Sequence, residues 1–149
     1  MAARRSSRRS YLLEAALLAF IALGLLLGPR LIDTRSAVLW TRHYAALEPP
    51  FDRPADTARQ AGRAAARAVD RGAPLPWARE AVRNALDCGR TLAEAHPAAA
   101  LVLYGEVRPA LDRARSSRLR GVGLGSLAQE VRGLEESARS AVAPLPPAP

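Results

Sequence analysis

Hydrophobic residues follow three patterns along this chain: a long apolar run, an apolar face on an otherwise polar helix, and a short segment that is apolar nearly all round. Each pattern predicts a different kind of helix. The first is an apolar run from Tyr11 to Gly28, 18 residues long and interrupted only by the charge of Glu14. At 1.5 Å per residue such a helix is about 27 Å long, close to the roughly 30 Å hydrocarbon thickness of a bilayer. The pattern predicts a transmembrane signal anchor at residues 11–28, preceded by a basic flank at residues 1–10.

The apolar helix should end at Gly28 and Pro29, because proline disfavours a helical conformation in the residue before it and glycine caps a helix at low cost. A short second helix is expected to begin at Asp33 or Thr34 and to end near Leu47, ahead of two prolines. Its apolar residues step by three or four positions, which places them on one face: Ala37, Trp40, Tyr44 and Leu47.

Three further stretches are expected to pack as a helical bundle. The stretch from near Pro54 to Gly72 carries small apolar residues on one side and four arginines on the other. From Trp77 to His96, every apolar residue falls in one half of the helical wheel. Residues 98–107 are apolar nearly all round, which predicts a buried central helix too short to span a membrane.

The carboxy-terminal part is expected to hold one more helix between two irregular segments. The glycine-rich residues 121–126 predict a flexible hinge, since no strand precedes them and no lysine of a phosphate-binding loop follows. Ser126 and Gln129 have the spacing of a capping box, so the last helix should run from Leu127 to about Val142. The proline-rich residues 143–149 predict a disordered tail.

Together these patterns predict an all-α protein. A single amino-terminal transmembrane helix is followed by an irregular bundle of four to five short amphipathic helices, in a helical domain of residues 29–142.

Composition narrows the function classes. The 149 residues include 22 arginines, no lysine and 14 acidic residues, a formal net charge of +8. This charge favours anionic lipid or acidic partners. Nucleic acid is not expected, because the arginines are spread over several helices without aromatic platforms on which bases could stack. The only cysteine, Cys88, cannot form an intramolecular disulfide, and no cluster of catalytic, metal-binding or cofactor-binding residues is found, so we expect neither an enzyme nor a cofactor.

The candidate contact residues lie on two of the predicted helices. Trp40 and Tyr44 are aromatic side chains of the kind found near bilayer surfaces. The second group recurs every four positions and forms one stripe, which suits anionic lipid or an acidic partner helix if it is not simply a solvated face. This stripe consists of Arg59, Arg63, Arg67 and Arg71.

Two resemblances bear on how the amino-terminal segment is used. Residues 7–12, with Arg8 and Arg9 at their centre, resemble a twin-arginine export signal, although Leu13 stands where that pattern often has lysine. This resemblance implies a small helical subunit exported with a cofactor-bearing periplasmic oxidoreductase. Glu14 ahead of an apolar helix resembles a prepilin leader and implies a pilin-like subunit, but Arg9 stands where the leader needs a small residue.

Neither cleavage of the apolar segment nor twin-arginine export is the interpretation we favour. The best signal-peptidase motif, Ala22 and Gly24, lies inside the apolar run. We therefore expect a single-pass protein of the bacterial inner membrane, with the amino terminus inside and the helical domain in the periplasm. The favoured hypothesis is a non-enzymatic accessory or scaffold subunit that contacts other subunits of a membrane protein complex through its helices. The orientation depends on the arginines that flank the run, namely Arg4, Arg5, Arg8 and Arg9 before it and Arg30, Arg35 and Arg42 after it.

Overall fold

A computed structural model describes residues 3–116 and 118–142, with side chains for residues 16–116 and 123–142. The described residues form five α-helices and no β-strand, which confirms the predicted all-α class of one long apolar helix followed by a helical bundle. The predicted tail, residues 143–149, and the side chains of the proposed export signal lie outside the described residues. The helices are α1 (Ala3–Ala45), α2 (Pro54–Asp70), α3 (Leu75–Ala95), α4 (Pro97–Arg115) and α5 (Arg118–Val142).

Helix α1 continues through Gly28 and Pro29, so the predicted helix end at these residues is wrong. A proline inside a helix lacks the N–H that would bond to the carbonyl four residues earlier, here that of Leu25. Part of the steric clash with proline falls on the Cβ atom of the preceding residue, and Gly28 has none. Asp33 and Thr34 are therefore interior residues of α1 and do not cap a new helix.

The chain divides into two compact units between Asp33 and Thr34. In the described part of the first unit, ten large apolar side chains are between 42% and 75% exposed. The stretch from Ala16 to Ala45 is long and apolar enough to cross a membrane, with a mean hydropathy of 1.9 in its most apolar window and none of that window buried. The ten side chains are Leu17, Leu18, Phe20, Ile21, Leu23, Leu25, Leu26, Leu27, Leu31 and Ile32.

The second unit has an alanine-rich core with α4 at its centre. Helix α4 packs against α2, α3 and α5, as expected for the predicted buried central helix. Its apolar side chains Leu103, Val107 and Leu111 are fully buried. Pro109 lies inside α4 without ending it, and the carbonyl left without a donor belongs to Gly105, an exposed residue that water can reach.

Small residues let α2 approach α4 closely. At Gly62, a Cβ atom would lie 2.8 Å from the Cβ atom of Glu106 and 2.9 Å from the carbonyl oxygen of Leu103. Only glycine fits such a distance to a neighbouring backbone. The buried face predicted for α2 is confirmed, and its members are Ala58, Ala61, Gly62, Ala65 and Val69.

The predicted division of α3 into a buried and an exposed half is also confirmed. Gly89 on the buried half receives the ring of Tyr104 from α4, because a Cβ atom there would lie 2.7 Å from Cε1 of that ring. Tyr104 is fully buried, and burial raises its pKa to about 12. The Arg90 charge lowers this pKa and Cys88 raises it, both by less than burial does. Among the described residues, its hydroxyl has no hydrogen-bond partner.

Replacing Tyr104 with Phe is expected to stabilise the fold. A buried polar group without a partner costs roughly 1–3 kcal/mol, and Phe removes this cost with little change in shape, so a gain of up to about 1 kcal/mol is expected. Thermal unfolding of the detergent-solubilised chain, followed by circular dichroism, checks it. Tyr44→Phe is the matched control and should lower stability, because the Tyr44 hydroxyl donates a hydrogen bond to Gln60. A lower melting temperature for Tyr104→Phe would show that the hydroxyl has a partner.

Helix α5 begins at Arg118, so the predicted hinge at residues 121–126 and the predicted capping box at Ser126 are wrong. The physical reason is a contact between helices. At Gly123 a Cβ atom would lie 2.5 Å from Cδ2 of Leu75, so this glycine makes room for a side chain at the start of α3. Packing of Gly123 against Leu75 offsets the low helix propensity of this glycine.

Candidate functional site

A groove between α1 and α2 brings together four of the six candidate contact residues. It is a surface cavity of about 330 Å³ that lies wholly within the second unit. The four residues that line it are Trp40, Tyr44, Arg63 and Arg67, and Gln60 and Ala64 complete the lining.

The α1 wall of this groove is aromatic. Trp40 and Tyr44 are one helical turn apart, and their rings stack with centroids 6.1 Å apart and an interplanar angle of 25°. His43 contacts Trp40 edge-on, with ring centroids 5.9 Å apart. Trp40 remains 53% exposed, so its ring is available to a ligand or to lipid. Trp and Tyr each join an apolar ring to a polar group, which suits a boundary between apolar and wet surroundings.

The two walls are joined by a hydrogen bond from the Tyr44 hydroxyl to Oε1 of Gln60. Burial raises the pKa of the Tyr44 phenol above its ordinary value, and the neighbouring Cys88 raises it further. The phenol therefore stays neutral at physiological pH and keeps its proton for Gln60. This exposed bond links α1 to α2 within the lining of the groove.

The α2 wall is cationic. Nε of Arg63 donates a hydrogen bond to Oε1 of Glu106 at 3.3 Å, which uses one of the five N–H donors of the guanidinium. Arg67 is exposed, and among the described residues its side chain has neither an ion pair nor a hydrogen bond. Arg67 is thus the cation of the groove that no carboxylate of the described chain neutralises.

The other two arginines of the predicted stripe are exposed but do not line the groove. Arg59 forms an exposed ion pair with Asp56, with NH1 and Oδ1 3.4 Å apart, which contributes little to stability. Arg71 directly follows α2, where its backbone N–H donates to the carbonyl of Arg67 at 2.9 Å. The stripe therefore divides into two groove residues and two residues outside it.

Many arginines of the chain, Arg63 of the groove among them, connect helices to one another. Within the described residues, six arginines pair with a carboxylate on a different helix, the best aligned being the two-bond contact of Arg113 with Asp70 at 2.8 and 3.1 Å. The sequence does not reveal these pairs, because the partners are 20 to 43 residues apart. The pairs are Arg42–Glu80, Arg63–Glu106, Arg90–Glu130, Arg108–Glu135, Arg113–Asp70 and Arg132–Asp112.

Sequence reasoning missed the polar residues of α1 that pack within the second unit. Thr34 and Thr41 are buried, and the Thr41 hydroxyl donates to the carbonyl of Val38 at 2.7 Å and accepts a bond from Asn84 of α3 at 3.4 Å. Threonines are commonly exposed, so a search for apolar residues passes over them. The sequence does contain a signal for the two threonines, because they share one helical face with apolar residues. The members of this face are Thr34, Ala37, Val38 and Thr41.

The other reactive or polar features of the bundle have simpler explanations. Cys88 is buried, and burial raises the pKa of its thiol to about 11, so it stays protonated at neutral pH. Among the described residues, no group of three or more His, Cys, Asp or Glu side chains is placed to hold a metal ion. A second cavity, of about 500 Å³, runs along the polar half of α3 and has charges of both signs. Its lining is Leu75, Pro76, Arg79, Glu80, Arg83, Asn84 and Asp87.

Fold and groove together define a class of protein: a small all-helical bundle whose first helix is a candidate membrane span. No protein-family model matches the chain, and comparisons with curated proteins and with solved structures find no match.

Proposed function

We propose that this protein is a non-enzymatic, single-pass subunit of a bacterial membrane protein complex, in which it acts as an accessory or scaffold element through helix–helix contacts. The observation that carries the proposal is the exposed apolar surface of α1, where ten large side chains lack protein cover. Apolar surface left in water costs roughly 25 cal/mol per Å². Lipid, or lipid together with a partner helix, removes that cost.

The bundle supports the scaffold part of the proposal. Interhelical contacts such as Arg113–Asp70 and the glycine-mediated approach of α2 to α4 hold its helices in one arrangement. A small, well-packed body of this kind can present polar helix faces to larger subunits. The arginines before the apolar run favour an amino terminus inside the cell, and the proposal therefore assigns the bundle to the periplasm.

Purification of the tagged full chain from membranes in mild detergent tests this function. The chain should resist alkaline extraction from the membrane pellet, and defined membrane proteins should accompany it, with an untagged strain as control. A chain that is monomeric and accompanied by nothing contradicts the scaffold role. Release into the alkaline supernatant contradicts the membrane span.

The side of the membrane on which the bundle lies is checked separately with a membrane-impermeant maleimide. Ser137 is exposed on α5, so Ser137→Cys in a Cys88→Ala background should be labelled in intact cells once the outer membrane has been made permeable. Labelling that occurs only after lysis would put the bundle in the cytoplasm.

A further inference from the structure

We infer that the groove formed by Trp40, Tyr44, Arg63 and Arg67 binds the phosphate-bearing headgroup of an anionic phospholipid. This inference rests on the proposed membrane attachment and adds a ligand to it. It assigns a specific role to two members of the arginine stripe and separates them from Arg59, which lies outside the groove.

The charge of the groove matches a phosphate. Arg67 has no carboxylate partner among the described residues, and a guanidinium can bind two phosphate oxygens at once through parallel N–H bonds. Arg63 holds Glu106 through a single exposed contact at 3.3 Å, which is weak enough to exchange for a doubly bonded anion. Glu106 is the one carboxylate that contacts a groove arginine among the described residues, so the groove keeps a net positive charge.

The size of the groove favours a headgroup over an acidic partner helix. A volume of about 330 Å³ is at the lower end of the range of roughly 300–1,000 Å³ that small-molecule sites occupy. A helix with its side chains is about 10–12 Å across and would need a longer, wider trough. The groove admits one compact polar group with a few atoms beside it.

The apolar surroundings favour a lipid over free inorganic phosphate. The rings of Trp40 and Tyr44 line the groove, and Trp40 is 53% exposed. A free anion gains nothing from such neighbours, whereas the glycerol and first acyl carbons of a lipid can cover them. Trp40 and Tyr44 also belong to the helix that carries the apolar run, and Trp and Tyr are enriched where membrane proteins meet headgroups.

Fluorescence of Trp40 provides a direct test with the full chain in non-ionic detergent. Trp77 is the only other tryptophan, so Trp77→Phe leaves Trp40 as the sole reporter. Short-chain phosphatidylglycerol should produce a saturable change in emission, and short-chain phosphatidylcholine a response at least about tenfold weaker, because only the former carries a net negative charge. Native mass spectrometry of the unmodified chain, which retains the same lipid, gives an independent reading.

Arg67→Gln should weaken binding of phosphatidylglycerol about tenfold, since it removes a charged hydrogen-bond donor. Arg115→Gln is the matched control, because it removes the same charge from an exposed position outside the groove and should leave affinity unchanged. Circular dichroism verifies that both variants fold.

Four results would overturn the inference. The first two are equal fluorescence responses to the two lipids and an equal loss of lipid affinity in the two Arg variants. The third is displacement of the lipid by inorganic phosphate at a concentration equal to that of the lipid. The fourth is saturation of the groove by an acidic peptide in place of lipid. The titration in detergent does not depend on insertion into a bilayer. A failure here therefore leaves alkaline extraction and co-purification, the tests of the proposed function, unaffected.

Discussion

Replacing Phe20 and Leu23 together with Arg is expected to release the chain from membranes. Both side chains lie in the middle of the apolar run of α1 and are 75% and 54% exposed. An Arg near the centre of a membrane-spanning helix costs about 2.5–3.5 kcal/mol on insertion scales, so two of them cost about 5–7 kcal/mol. The fraction of the chain left in the membrane pellet after alkaline extraction measures the effect.

The matched control adds the same two charges to the bundle. Ala98 and Ser137 are exposed on α4 and α5, so Ala98→Arg with Ser137→Arg should leave the chain in the pellet. Circular dichroism of both double variants shows whether the bundle is still folded. If the Phe20→Arg and Leu23→Arg chain stayed in the pellet, contacts with other proteins rather than lipid would hold α1.

The bundle helices could be predicted from the sequence because their polar and apolar residues separate cleanly at the helical period. On α3 the apolar side includes Ala81, Val82 and Leu86, and all three are buried in the structure. Arg79 and Arg83 fall on the other side and are exposed. Such a pattern depends only on residues within one helix, so it can be recognised without knowing which elements the helix packs against.

Glycine and proline were less predictable because their effect depends on surroundings that the local sequence does not contain. Gly28 has nothing within 4 Å of a Cβ position, and it relieves the strain that Pro29 imposes on α1. Gly123 has the opposite environment, since Leu75 fills the space beside it. Gly28 lets α1 continue past Pro29. Gly123 lets α5 continue because its lack of a side chain makes room for Leu75.

The candidate site was predictable as two halves but not as one groove. The spacing on each helix indicates Trp40 as an aromatic contact and Arg67 as part of a charged stripe. Trp40 and Arg67 come together in one groove because two tertiary hydrogen bonds hold α1 in place. Thr41 accepts one from Asn84 of α3, and Tyr44 donates the other to Gln60 of α2. These are tertiary contacts of polar residues, and hydrophobic periodicity does not report them.

Gly62→Ala is expected to lower the stability of the bundle by about 1–3 kcal/mol, the usual cost of overpacking a core. The added methyl group would meet the Cβ atom of Glu106 and the carbonyl oxygen of Leu103 at 2.8 and 2.9 Å. Neither atom is the free end of a flexible side chain, so α2 and α4 must move apart. The melting temperature of the detergent-solubilised chain should fall.

Gly133→Ala is the matched control and should change stability in the opposite direction. Gly133 is an exposed residue inside α5, and nothing lies within 4 Å of its Cβ position. Alanine should therefore stabilise the helix by up to about 1 kcal/mol through its better helix propensity. If Gly62→Ala raised the melting temperature as Gly133→Ala should, helix propensity would dominate at both positions, and the close approach of α2 to α4 would not be needed for the fold.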